Sequence, residues 1–312
     1  METKKLYIAN FNCTFGKDNK PMLEHFLDII LPAFQKDLVR KDAGNQYLFE
    51  KVHLIMSQGE FMLAGLLVKR TQLEIKSRYK EGEGLKRTNE KILSDPYSYF
   101  LISLKNHRMT LVKNQKGSPD IRSFSATARN VLYQYIKDQN NKIEKPEDKL
   151  PKPNLNVVPI PFEGEIDKAL KDIRKINKLT LRFYPLNGDI SHNKMFNALR
   201  DTLIEVGSNT GFTQINTPEN HKEVANLLKE TKGLVKPTLY VIDGNGNKKT
   251  LRDDSFTESM DVSLDEEESL DENINSIAGK VTNREEFTET SSENTKIYQK
   301  FFSSLMSVFS NK

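Results

Sequence analysis

Five histidines, His25, His53, His107, His192 and His221, and one cysteine, Cys13, are the residues through which this chain of 312 could hold a metal or attack a carbonyl. No two of the histidines stand at i, i+4 with a carboxylate, which removes the helical zinc motif. A single cysteine removes both an internal disulfide and any CxxC metal site. No Gly-x-Ser-x-Gly elbow marks a serine nucleophile, although the members of a Ser–His–Asp triad need not be adjacent. Cys13, near a strand end, reads as a small core residue. Two halves of a nuclease metal site are present, Pro119-Asp120 and Glu74-Ile75-Lys76, but the second lies upstream of the first, the reverse of the required order. Asp243-Gly244-Asn245-Gly246 has the composition of a calcium loop, yet Lys248 and Lys249 stand where its closing glutamate should be, so it reads as a hairpin turn. Gly82 and Gly84 are flanked by Glu81 and Glu83, which repel phosphate. No catalytic residue, metal or cofactor is assigned.

The cations are better organised than the nucleophiles. Residues 1–250 hold 41 Lys and Arg against 29 Asp and Glu, whereas residues 251–312 hold 6 against 14. A basic body with an acidic tail suits a polyanion, with the tail modulating the contact. A helix predicted over Glu163 to Asn177 sets Ile166, Leu170 and Ile173 on one face and Lys168, Lys171 and Lys175 on the other, with Arg174 and Lys178 at the margin. A second group lies on two N-terminal hairpins. Lys76, Arg78 and Lys80 alternate on one strand face, and Lys105, Arg108 and Lys113 follow. These eleven are the expected DNA-binding residues. Few aromatic residues stand near them in sequence, which favours duplex phosphates over stacked single-stranded bases.

Positioning these groups requires a mixed chain. A strand from Lys5 to Phe15 precedes a helix that starts at Pro21 and continues to Leu38. Gln46–Met56 with Glu60–Lys69, and Tyr97–Leu104 with Arg108–Val112, form hairpins. A helix capped at Ser118-Pro119-Asp120 carries Ile121, Phe124, Ala128, Val131, Leu132 and Tyr135 inward. The prolines and charges of residues 139–153 read as a linker between an N-terminal α+β domain, 1–138, and a second α/β domain, 154–252. In the second domain, helices predicted over Glu163–Asn177, Ser191–Val206 and Pro218–Lys232 alternate with strands, and a hairpin closes it at Pro237–Ile242 and Lys248–Leu251. The expected fold class is α+β, two α/β sandwich-like subdomains. Residues 253–290 are expected to be an acidic, flexible segment, and 291–312 an amphipathic helix. Its stripe of Ile297, Phe301, Leu305 and Phe309 needs a partner surface, a second copy or the body. No stretch approaches the length of a membrane span, and no leader is evident, so the expected location is the cytoplasm.

The run Gly44-Asn45-Gln46-Tyr47-Leu48-Phe49-Glu50-Lys51-Val52 after a first strand, a Lys-rich turn at Gly16–Lys20 and a long helix resembles the RexA-like phage-exclusion proteins. So does Asp95-Pro96-Tyr97-Ser98-Tyr99-Phe100-Leu101, and the later strand-turn-strand at Asp243–Gly246 has a counterpart in order. The resemblance implies a symmetric homodimer that binds double-stranded DNA with little sequence preference and passes a signal to a separate effector protein at the membrane. It brings no catalytic motif. The competing expectations are a metal-dependent nuclease of a defence system and a scaffold that binds only protein.

Overall fold

Apolar residues recur so densely in Phe61-Met62-Leu63-Ala64-Gly65-Leu66-Leu67 that both faces of this strand must be covered. The computed structural model, which describes residues 2–187, 193–257, 259–265 and 267–310 without the side chains of residues 285 and 286, covers both. Strand β1 (Glu2–Phe15) is followed by the short β2 (Lys20–Pro21) and one helical run: a 3₁₀ turn at Met22–His25, a π turn at Phe26–Ile30 and α1 (Leu31–Gln35). Then come β3 (Arg40–Asp42), β4 (Asn45–Ser57), β5 (Glu60–Lys80), β6 (Gly84–Ser94), β7 (Tyr97–Ser103), β8 (Arg108–Lys113) and the helix α2 (Ile121–Asn140). These strands form an antiparallel sheet in the order β1-β8-β7-β5-β4-β3. Alternate residues feed two cores. Phe11, Phe61, Phe100 and Leu111 pack with α1 and α2 on one side, while Ile8, Met62, Leu101 and Val112 pack on the other. Gly65 allows a close approach within the sheet, where an added Cβ would lie 3.0 Å from both Phe100 and Val52.

The expected linker is not a domain boundary. Asn140 accepts from the Leu150 N–H and donates to the Leu150 carbonyl, closing the loop on itself, and β9 (Pro153–Pro159) pairs with residues 9–15 of β1. The second unit therefore begins after β9. It contains α3 (Glu163–Leu170), β10 (Ile173–Phe183), α4 (Lys194–Glu205), β11 (Gly211–Asn216), α5 (His221–Glu230), β12 (Lys236–Asp243) and β13 (Lys248–Arg252). Its four strands run β11-β10-β12-β13, all antiparallel. Residues 191 and 192, with which the second helix was expected to begin, lie outside the described residues.

The helix predicted to continue to Asn177 stops at Leu170, and Arg174, Lys175 and Lys178 lie on β10 instead. The register of β10 against β12 shifts between Ile173 and Lys175 and again between Ile176 and Lys178. Each shift inserts one residue, so Ile173, Ile176 and Leu179 all join the same core at a spacing of three. Such spacing imitates a helix.

The acidic segment, expected to lack fixed structure, forms regular elements. β14 (Ser259–Leu264) pairs with residues 2–7 of β1. α6 (Leu270–Val281), opened by a reciprocal Ser269–Glu272 capping box, buries Ile274, Ile277, Ala278 and Val281 against the second face of the large sheet. Glu258 and Glu266 of the acidic run lie outside the described residues. After α7 (Glu285–Thr288), α8 (Ser292–Ser310) packs on the first face. Phe302 and Phe309 meet Phe61 at ring distances of 5.2 and 5.7 Å, and the Phe61 N–H donates to the Tyr298 hydroxyl at 2.8 Å. The stripe expected at a dimer contact, Ile297, Phe301, Leu305 and Phe309, therefore packs on the body, because that face completes the first core beside the Met22–His25 turn.

A cationic cleft between two sheets as candidate nucleic-acid interface

Three helices cover one face of the small sheet, through Ile166, Phe196 and Leu228 against Leu179, Leu181 and Leu239. Among the described residues, the opposite face carries no helix. Cross-strand pairing sets Arg182 between Phe212 and Lys236, then Thr180 between Gln214 and Thr238, then Lys178 between Asn216 and Tyr240; Arg252 flanks Thr238. Residues directly opposite share a face, so this surface combines four cations and two aromatic rings with no carboxylate among those pairs.

The open face looks onto the body across a cleft of about 900 Å³. The body's wall is α2 and β9. Arg122, Arg129 and Tyr133 recur at helical spacing on the side of α2 away from its buried Phe124, Ala128 and Leu132. Lys152 and Asn154 continue that wall, while Arg182, Lys236, Arg252, Tyr184 and Tyr240 belong to the other. Six cations thus face one buried carboxylate, Asp253. Helix α2 is fixed at its start by Asp120, whose carboxylate accepts from the Ser123 N–H at 2.8 Å. Burial opposes the charge on Asp120, but the Ser123 bonds with Lys113 and Arg122 outweigh it, and its pKa lies below the ordinary value.

The cations differ in their engagement. Lys236 pairs with Asp253 at 3.0 Å, and Arg122 with Asp254 at 2.6 Å. Arg129 donates through Nε to the Leu155 carbonyl at 2.9 Å, which holds its guanidinium at the cleft wall. Among the described residues no carboxylate pairs with Arg129, Lys152, Arg182 or Arg252. Tyr184 lines the same cleft; burial raises its pKa above the ordinary value, and the Arg182 and Arg129 charges oppose the rise only in part. Lys178 Nζ sits 4.3 Å from the Tyr240 ring centroid.

The residues expected to bind DNA are scattered relative to this cleft. Lys76, Arg78 and Lys80 do alternate along one strand, in the outer half of β5, which pairs with β6 as a two-stranded arm extending beyond the sheet. Acids come with them: Arg78 pairs with Glu90 at 2.7 Å and Lys80 with Glu83 at 2.9 Å. Lys105 is paired with Glu60 at 2.6 Å, and Arg108 is buried, donating to the Lys232 carbonyl at 3.2 Å. Lys113 reaches over Tyr7 and lines a smaller pocket of about 360 Å³ that shares Arg122, Arg129 and Lys236 with the cleft. Lys168, in the last turn of α3, pairs with Glu165 at 3.6 Å, and Lys171 and Arg174 are exposed. Only Lys175 and Lys178 fall on the open sheet face. Sequence reasoning missed Arg129, Lys152, Arg182, Lys236 and Arg252. The alternation Lys236-Thr238-Tyr240 and the α2 stripe were the available signals.

The other singled-out residues serve the fold. Cys13 is fully buried in the first core, and burial pushes its thiol up. Asp243 closes the hairpin turn, held down to about 2 by Lys249 and the Asn247 N–H. Among the described residues, no three His, Cys, Asp or Glu side chains converge, and no helix is long and apolar enough to cross a membrane. No family model matches the chain, and no curated protein matches it in sequence.

Proposed function

We propose that the protein is a non-catalytic DNA-binding protein that grips the sugar-phosphate backbone in the cleft between its two sheets. One observation carries this: six cations converge from five separate segments onto one cleft, and four of them have no acidic partner among the described residues. Like charges gathered this way repel one another, and a bound polyanion relieves that repulsion. Phosphate contacts position a nucleic acid without reading its sequence, which agrees with the little sequence preference implied by the resemblance to RexA-like proteins. That resemblance alone supports a sensor role in phage exclusion, in the cytoplasm and with a separate effector protein. A homodimer, also implied by it, would use a surface other than the face of α8 already packed on the body.

Binding to labelled DNA, followed by fluorescence anisotropy across a salt series, tests the proposal. If Arg129, Lys152, Arg182 and Arg252 each meet a phosphate, log K falls against log salt with a slope of roughly −3 to −4. Arg182→Ala with Arg252→Ala weakens binding to every sequence alike and flattens the slope by about 1.5 to 2. No binding at low salt, or an unchanged slope, removes the cleft from the interface. Plasmid held with the protein and Mg²⁺ or Mn²⁺ stays intact; nicking would replace the proposal with its nuclease alternative.

A further inference from the structure

Three tyrosines share the cleft with the cations, and charge does not explain them. Tyr133 is 62% exposed on α2 and Tyr240 is 40% exposed on the open sheet, while Tyr184, half-buried, lines the same cleft. Phe212, 67% exposed on the edge strand β11, continues the same sheet face beside Arg182. Isolated exposed aromatic residues need no explanation, but aromatic rings on both walls of one cationic cleft do. A duplex keeps its bases stacked inside and offers such rings only sugars and phosphates. An unpaired strand offers phosphates and base faces together, and every base has a face on which a ring can stack. A four-stranded antiparallel sheet with helices on one face and aromatic residues on the other is also a layout that single-stranded nucleic acids use as a platform.

We propose that the cleft takes an unpaired polynucleotide strand, with phosphates on Arg129, Lys152, Arg182 and Arg252 and bases on the faces of Tyr133 and Tyr240. This rests on the nucleic-acid reading above and specifies the form of its ligand, an unpaired strand in place of the duplex expected from the sequence. Lys178 against the Tyr240 ring draws the strand's backbone toward the stacked base and keeps that ring at the cleft wall. The shared chemistry, a flexible phosphodiester with exposed bases, is common to single-stranded DNA and RNA.

The test compares three labelled probes of equal length, about 20 nucleotides so as to exceed one site: oligothymidine, oligouridine and a mixed-sequence DNA duplex. At equal salt, one or both single strands bind at least about tenfold more tightly than the duplex, and which of them binds tighter identifies the source of the ligand. Tyr133→Ala with Tyr240→Ala loses roughly tenfold or more on the single strand and changes duplex affinity by less than about twofold. Tyr133→Phe with Tyr240→Phe keeps the single-strand affinity, since the ring remains. Both side chains are largely outside the cores, so the variants should melt with the wild type. Duplex binding as tight as the single strands overturns the proposal while leaving DNA binding intact, and so does a double alanine variant that binds single strands like wild type. If none of the three probes binds at low salt, the nucleic-acid reading itself fails.

Discussion

His107 sits at the turn between β7 and β8 with a backbone φ of +59°, and its ring is buried with neither nitrogen hydrogen-bonded among the described residues. Burial, followed by the neighbouring Arg108 charge, lowers its pKa from 6.5 to about 3. Above pH 6.5 the ring is neutral in both folded and unfolded chains and contributes no pH dependence. Below it the unfolded chain takes a proton that the folded chain refuses, so stability is lost as pH falls from 6.5 toward 3. The slope approaches 1.4 kcal/mol per pH unit, which makes the loss about 2 kcal/mol at pH 5. Replacing His107 by Asn removes the titration and keeps a residue that accepts positive φ. Urea unfolding of both proteins at pH 7 and pH 5 measures the difference, with every other titrating group common to both. The wild type should lose about 2 kcal/mol more than the variant over this interval. Equal losses would mean that His107 is protonated in the folded protein near its ordinary pKa, and the account of an unpartnered buried imidazole would be wrong.

Leu305, 1% exposed in the seat of α8, gives a second expectation: Leu305→Ala costs about 2–5 kcal/mol in chemical unfolding, and a cost within about 0.5 kcal/mol, typical of surface positions, would mean that α8 does not dock on the body. Asp254, paired with Arg122 at the end of the cleft, gives a third. Asp254→Asn should tighten DNA binding several-fold at low salt, with the gain fading as salt rises; equal affinity at every salt concentration would show that this acid does not compete with phosphate.

Where alternation and turn residues agreed, the sequence was legible. The β4–β5 turn at Ser57-Gln58-Gly59 and the β12–β13 turn at Asp243–Gly246 fell where their glycines and polar residues put them, and the buried face of α2 followed its apolar spacing. The acidic segment misled because its pattern is interleaved with charge. Val262 and Leu264 alternate, and Ile274, Ile277, Ala278 and Val281 follow a helical period, yet acids surround both. On β10 two register shifts turned a strand's alternation into a spacing of three. The cleft was illegible for another reason. Arg129, Lys152, Arg182, Lys236 and Arg252 are ordinary surface cations within their own segments, and only the pairing of β9 with β1 and the attachment of the second unit bring them together.

That attachment explains how two like-charged walls stay close. The second unit is inserted between β9 and β14, which lie along the same edge of β1, one beside residues 9–15 and the other beside residues 2–7. Chain enters and leaves at one narrow neck, where the Ile160 N–H donates to the Ile8 carbonyl, the Phe162 N–H to the Phe256 carbonyl, and Pro161 bridges Thr257. Further ties are polar: Asn12 donates to the Pro185 carbonyl at 2.7 Å, and the Met22 N–H to the Asn187 side chain at 2.9 Å. The Arg122–Asp254 pair also spans the two units, but both groups are about half exposed, and such a pair contributes little. The large core clusters belong to one unit or the other, and the seam is completed by the Arg108 bond to the Lys232 carbonyl, the Lys232–Glu289 pair and the close approach of Gly233 to Asn10 and Val158. Phosphates bound between Arg129 and Lys152 on one wall and Arg182 and Arg252 on the other would do two things at once: offset the repulsion between the like charges of the two walls, and add to the contacts that already join the two units.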